Sequence, residues 1–324
     1  MMRIRVPFVA AGALLCLVSS GLADTARLAR SGIVRQGANA TTYSVEVPVV
    51  ARVQGTAFFR TSIDINNNTT SNGVIAQFQF SYACVAASCN PVGGFYRTTP
   101  GDPRTTVTLQ AIGNFHQDDF VQYLDSQGLL APGALQGTIG TLLVTFTNLP
   151  STEGGWQGTA VARTYNRLNE ADPLSGTVGF AYNASLFFES ADTTLIGYAR
   201  DTKASPTIAG KLRSNVGVRS TDINFTQHNV TVVVTAYDTV SGARVGNAIT
   251  LADIAPGELR QISDLWATAG IPSTVNSVIV FVDNPSPTSS SPTFEGYVTI
   301  IDGQTTQDAA FFEMRCADTN GCGN

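Results

Sequence analysis

Val74-Ile75-Ala76-Gln77-Phe78-Gln79-Phe80-Ser81-Tyr82-Ala83 decides the fold class, because Val74, Ala76, Phe78, Phe80 and Tyr82 recur at every second position. Successive side chains of an extended chain point to opposite faces, so this set shares one face and predicts a strand with that face buried. The second half of the chain holds a counterpart, Val230-Thr231-Val232-Val233-Val234-Thr235-Ala236-Tyr237, with Val230, Val232, Val234 and Ala236 on one side. No long helical period runs through the chain, which argues against the repeated strand and helix units of an α/β enzyme.

Working outward from these two strands, the halves keep matching. Phe59-Arg60-Thr61-Ser62-Ile63-Asp64-Ile65 lines up with Leu212-Arg213-Ser214-Asn215-Val216-Gly217-Val218: an apolar residue, an arginine, a hydroxyl, then alternating aliphatics. Val107 to Leu109 match Ile249 to Leu251, and Leu142 to Phe146 match Val278 to Val282. Gly158 to Tyr165 pair with Gly296 to Asp302, and both copies close on Phe-Phe-Glu, at 187–189 and 311–313. Between these strands each copy carries one short helix, read from Asp118-Asp119 to Gly128 and from Ser263-Asp264 to Gly270. An acid or hydroxyl at the start and a glycine just past the end are helix boundary signals. Phe120 and Leu124, and Leu265 with Trp266, are expected to plug the ends of the two sandwiches.

About seven short strands per copy, in an order kept between copies, is what an immunoglobulin-like sandwich requires. The expected fold is therefore all-β: two tandem immunoglobulin-like β-sandwich domains, each with one short helix, after a signal peptide. The expected boundaries are a signal peptide over 1–23, a flexible leader over 24–44, sandwich domains over 45–190 and 191–315, and a disulfide-bearing tail over 316–324. Phe59-Arg60-Thr61, Arg163-Thr164-Tyr165-Asn166 and Tyr297-Val298-Thr299-Ile300-Ile301-Asp302 resemble recurring motifs of uncharacterised exported bacterial proteins built from tandem immunoglobulin-like sandwiches. The resemblance covers nearly the whole mature chain, although the second copy departs from it with Leu212-Arg213-Ser214. It implies fold and export and brings no catalytic residue with it.

Arg3 and Arg5 precede an uncharged apolar run from Val6 to Val18, and Gly21-Leu22-Ala23 offers small residues for a peptidase that cleaves after Ala23. That layout predicts export, to the periplasm, the cell surface or beyond. Losing the two arginines takes the formal net charge from −5 to −7, and the remaining cations are scattered, so nucleic acid is not an expected partner. No later run is long and apolar enough for a transmembrane anchor. Cys16 leaves with the signal, and the four remaining cysteines are expected as two local disulfides, Cys84 with Cys89 and Cys316 with Cys322. Their spacing misses the usual zinc patterns, and neither a metal nor any other cofactor is expected.

His116 and His228 are the only histidines, and no G-x-S-x-G or H-E-x-x-H accompanies them. His116 beside Asp118 and Asp119 is the stronger acid-base candidate, yet the acids stand where a helix start favours negative charge. His228 reads as a solvated loop residue. Asp64, Asn66 and Asn68 open like a calcium loop, but Thr69 replaces its glycine and Ile75 its bidentate glutamate. Trp156, between Gly155 and Gln157, is the aromatic expected to face a ligand. No catalytic residue is assigned. The expected function is a non-enzymatic secreted or cell-surface protein, structural or adhesive, whose partner would be a protein or a glycan. The alternative is a secreted hydrolase, or its accessory domain, using the region around His116.

Overall fold

The computed structural model describes residues 41–54, 58–151, 157–167, 169–172, 175, 177–184, 193–202, 212–221, 228–287, 292–302 and 309–317. The expected signal peptide, Trp156, the Phe-Phe-Glu tripeptide at 187–189 and Cys322 lie outside the described residues. In chain order the first half contains β1 (Tyr43–Gln54), β2 (Phe58–Asn67), β3 (Val74–Cys84), β4 (Gly94–Arg97), β5 (Thr106–Leu109) and β6 (Asn114–Gln117). Then come α1 (Phe120–Ser126), β7 (Gly137–Thr147), β8 (Gly158–Arg167) and β9 (Thr177–Asn183). The second half contains β10 (Thr194–Arg200), β11 (Leu212–Ser220), β12 (Val230–Asp238), β13 (Arg244–Ile254) and β14 (Leu259–Ile262). It ends with α2 (Leu265–Ala269), β15 (Ser277–Asp283), β16 (Phe294–Asp302), β17 (Ala309–Glu313) and β18 (Arg315–Cys316).

The chain is mostly β, with antiparallel sheets layered as in a sandwich. One sheet has nine strands, ordered β4-β3-β7-β1-β2-β8-β9 with β5 on β3 and β6 on β2; the others are β13-β12-β15-β10-β18 and β14-β11-β16-β17. The strand pairings of the first half recur in the second. β2 pairs with β6 and β8 as β11 pairs with β14 and β16, and β3 pairs with β5 and β7 as β12 pairs with β13 and β15. Opposite Val74 stands Leu109 and opposite Val232 stands Leu251, which is the match expected between those segments.

The alternating residues are buried as the period-two reading requires: Val74, Ala76, Phe78, Phe80 and Tyr82 in one apolar cluster, and Val230, Val232, Val234 and Ala236 in another. Two local expectations shift. The first strand begins at Tyr43 rather than Val45, because the Tyr43 ring is buried against Phe146 and its hydroxyl bonds to the backbone of Gly158. Ile63 stands opposite Ala162 while Val216 stands opposite Val298, so β8 and β16 match two residues away from the expected alignment. A slip of two keeps every side chain on its own face.

Both helices start and stop as expected. Asp119 accepts the backbone N–H of Gln122 and Asp264 that of Ala267, while Gly128 and Gly270 take φ of 67° and 65° in the left-handed region that ends a helix. Phe120, Leu124, Leu265 and Trp266 are buried, and the Trp266 indole N–H donates to the Val275 carbonyl at 2.7 Å. The Cys84–Cys89 disulfide is formed, with Cα atoms 5.8 Å apart. Cys316, expected at the start of a tail, instead belongs to β18 and pairs with β10. Among the described residues no helix is long and apolar enough to cross a membrane.

Candidate functional site

The outer face of β2 and β6 carries the residues around His116. Ile63 and Ile65 point into the core, so Asp64 and Asn66 point out, and Asp64 stands directly opposite His116. The imidazole is bonded at both nitrogens, Nδ1 to Asp64 at 2.9 Å and Nε2 to Asp118 at 3.1 Å. The bond to Asp64, then that to Asp118, holds the His116 pKa above its ordinary value, since each carboxylate favours the charged ring. No hydroxyl is among its partners within the described residues, and the side chain is about half exposed, at 51%. Asp119 does not join them: one oxygen caps α1 and the other takes the Arg52 Nε–H at 2.9 Å. His116 is thus a surface imidazole clasped by two acids, with neither ring nitrogen left free to take a proton from a substrate.

The calcium-like segment is likewise occupied by its own contacts. Asp64 also accepts from Asn114 at 3.1 Å, and Asn114 reaches Asn66 at 3.0 Å. Asn67, 1% exposed, donates to the carbonyls of Ser71 and Gln110 and accepts from the Thr69 backbone and hydroxyl. Among the described residues no cluster of histidine, cysteine or carboxylate side chains gathers to hold a metal. His228 is exposed, as expected.

A second location stands out only in three dimensions. Val216, Val218 and Val298 bury one face of the β14-β11-β16-β17 sheet in the second core, which turns Arg213, Asn215, Gly217 and Arg219 to the opposite face. That face is covered by the first half. Arg219 pairs with the fully buried Glu46 of β1 and lies 3.3 Å from Glu295 of β16. Thr141 of β7 donates to the Gly257 carbonyl at 3.4 Å, and Arg97 of β4 to that of Pro256.

Tyr297 bridges the same junction. Its ring packs on Gly217, where an added Cβ would fall 2.1 Å from the ring, and its hydroxyl donates to Gln261 at 2.9 Å. It stacks on Phe311 with centroids 5.0 Å apart, and Phe311 stacks in turn on Tyr182 at 5.3 Å and Phe180 at 5.9 Å from the first half. Burial raises the Tyr297 hydroxyl pKa far above its usual value, so it remains a donor at any physiological pH.

Between these anchors a cleft of about 690 Å³ opens, walled by Val49, Val53 and Ile139 on one side and by Leu259, Tyr297 and Ile301 on the other. Its polar groups are mostly committed. Glu258 accepts from Arg260 Nε at 2.8 Å and from the Ala255 N–H at 2.7 Å, while Arg260 also donates to the Ala252 carbonyl at 2.6 Å. Two groups are less engaged. Arg213 donates only to Asn215, at 3.1 Å, and has no ion pair among the described residues, while the Thr299 hydroxyl is buried without a partner.

Sequence patterning places Arg213 and Thr299 on a solvent face and so does not mark them. The one available signal was Gly217 in mid-strand, since an isolated strand glycine often marks a close approach. No family model matches this chain, and no curated protein matches it.

Proposed function

We propose that this chain is an exported, non-catalytic protein of two tandem immunoglobulin-like units, structural or adhesive at the cell surface, whose inter-unit cleft holds a ligand with an apolar body. The observation that carries the reading is the cleft: small-molecule sites are typically apolar concavities of about 300–1,000 Å³ with a few placed polar groups, and they occur preferentially where domains meet. The recurrence of the strand pairings supports two units, and the Cys84–Cys89 disulfide supports an oxidising compartment. The clasping of His116 by Asp64 and Asp118 favours this reading over a hydrolase, since a general base needs a free nitrogen facing the proton it takes.

The test is binding of the neutral apolar dye Nile red to the mature chain, followed by its fluorescence. The dye should saturate at one site, and Val53→Trp, which fills the cleft from a half-buried position, should abolish the signal. Equal saturable binding by wild type and V53W would place the dye elsewhere and remove the cleft from consideration.

A further inference from the structure

We infer that the cleft takes a monocarboxylate with an apolar chain, its carboxylate held by Arg213 and Thr299; this rests on the cleft being a ligand site. Two independent observations point to an anion at one end. Arg213 is a half-buried guanidinium with a single hydrogen bond, to a neutral amide, whereas the other cleft arginine, Arg260, is matched by Glu258. Guanidinium groups that are partly desolvated ordinarily meet a carboxylate or phosphate, often through two parallel N–H bonds. Arg213 lacks that complement within the described chain.

The second observation is Thr299. It is 3% exposed, its hydroxyl has no partner among the described residues, and it lines the same cleft. A buried hydroxyl without a hydrogen bond is costly, so its persistence on a cavity wall points to a group that completes it. The pairing register sets the two together: Asn215 stands opposite Thr299 and Arg213 opposite Ile301, which makes Arg213 and Thr299 diagonal neighbours on one face. Such neighbours are roughly 7–8 Å apart at the backbone, within reach of one small anionic group when one partner is a long arginine.

Two carboxylates, Asp264 and Glu258, line the same cleft as Arg213. Asp264 accepts the Ala267 N–H at the start of α2, and its own N–H donates to Asn215, the same oxygen that Arg213 uses. Glu258 is neutralised by Arg260. The walls of Val49, Val53, Ile139 and Tyr297 then suit a hydrocarbon chain rather than a sugar or a polyanion.

Calorimetric titration of the mature chain at pH 7 and low salt with decanoate, decanol and decylamine tests this. Decanoate should bind at least tenfold more tightly than either neutral or cationic analogue. Arg213→Gln should erase that difference, with an unchanged near-ultraviolet circular dichroism spectrum reporting that the variant is folded. Thr299→Val should weaken decanoate a few-fold, and Arg213→Lys, which keeps the charge and loses the fork, should fall between wild type and R213Q. Should R213Q fail to fold, R213K and T299V decide: decanoate affinity unchanged in both overturns the anchor. Decanol binding as tightly as decanoate overturns the carboxylate assignment. If no alkyl probe binds while Nile red is still displaced by V53W, the ligand class is wrong and the cleft stands; if V53W leaves Nile red bound, the underlying reading itself fails.

Discussion

Glu46 and Arg219 meet across the junction of the two halves, the carboxylate fully buried and the guanidinium side chain 6% exposed, with Glu295 completing a triad of two acids and one base. Burial raises the Glu46 pKa, Arg219 opposes that shift, and neither Glu46 oxygen has a well-formed hydrogen bond. Removing the shared cation leaves two buried acids facing each other. Arg219→Met should therefore cost about 3–5 kcal/mol in urea unfolding, and Glu46→Gln should restore part of that loss. Full additivity of the two single variants would show that the pair is not coupled.

The same carboxylate sets a pH dependence. A folded-state pKa above the ordinary carboxylate value means that the native state binds the proton more tightly, so this contribution to stability is present at acid pH and is lost as pH rises through the raised pKa. Glu46→Gln removes the titration. Its stability relative to wild type should rise by denaturant midpoints as pH climbs above the ordinary carboxylate range; a constant difference throughout would place the Glu46 titration elsewhere.

The hydroxyl that follows Arg60 in the first half and Arg213 in the second has a backbone task. Thr61 Oγ1 accepts the Ala51 N–H at 2.9 Å and contacts Thr164 Oγ1 at 2.8 Å, while Ser214 Oγ accepts the Arg200 N–H at 2.9 Å and donates to its carbonyl at 2.7 Å. Each ties the second strand of its half to the first. Thr61→Val and Ser214→Ala should each cost about 1–3 kcal/mol, the range for a backbone group left buried without a partner. If the halves unfold as independent units, each substitution should shift a different calorimetric transition. One shared transition lowered by both would show that the junction couples them.

That motif marks how far the sequence could be read. The strands, their buried faces and the helix caps at Asp119 and Asp264 rest on local chemistry and period-two patterning, and they were legible. The two-residue slip between β8 and β16 was not, because alternation is unchanged by it. Tyr43 was hidden behind the polar Thr41-Thr42 pair, although its ring lies in the core. The junction was invisible for a deeper reason. Glu46, Arg213, Arg219 and Thr299 occupy strand positions that patterning assigns to solvent, and only contact between distant halves buries them. The His116 region was legible as residues, but not the fact that Asp64 and Asp118 hold both ring nitrogens.

His116 provides the last prediction. The hydrogen bond to Asp64, aided by Asp118, raises its pKa, so the clasp is complete below the unfolded histidine value and is lost as pH rises through the folded one. The side chain is half exposed and screened by solvent, so the clasp should contribute only about 0.2–1 kcal/mol, the range of exposed ion pairs. A proton NMR titration should place the His116 ring above the ordinary histidine range, with His228→Gln removing the second histidine signal. Asp64→Asn should move the His116 value downward more than Asp118→Asn does, following the order of the two hydrogen bonds. Stability should fall slightly from pH 6 to pH 9 in wild type, and His116→Gln should remove that fall apart from the Glu46 contribution, which H116Q/E46Q would isolate. An unshifted His116 titration, or one indifferent to Asp64→Asn, would mean that the clasp does not persist in solution and would reopen the imidazole as a candidate base.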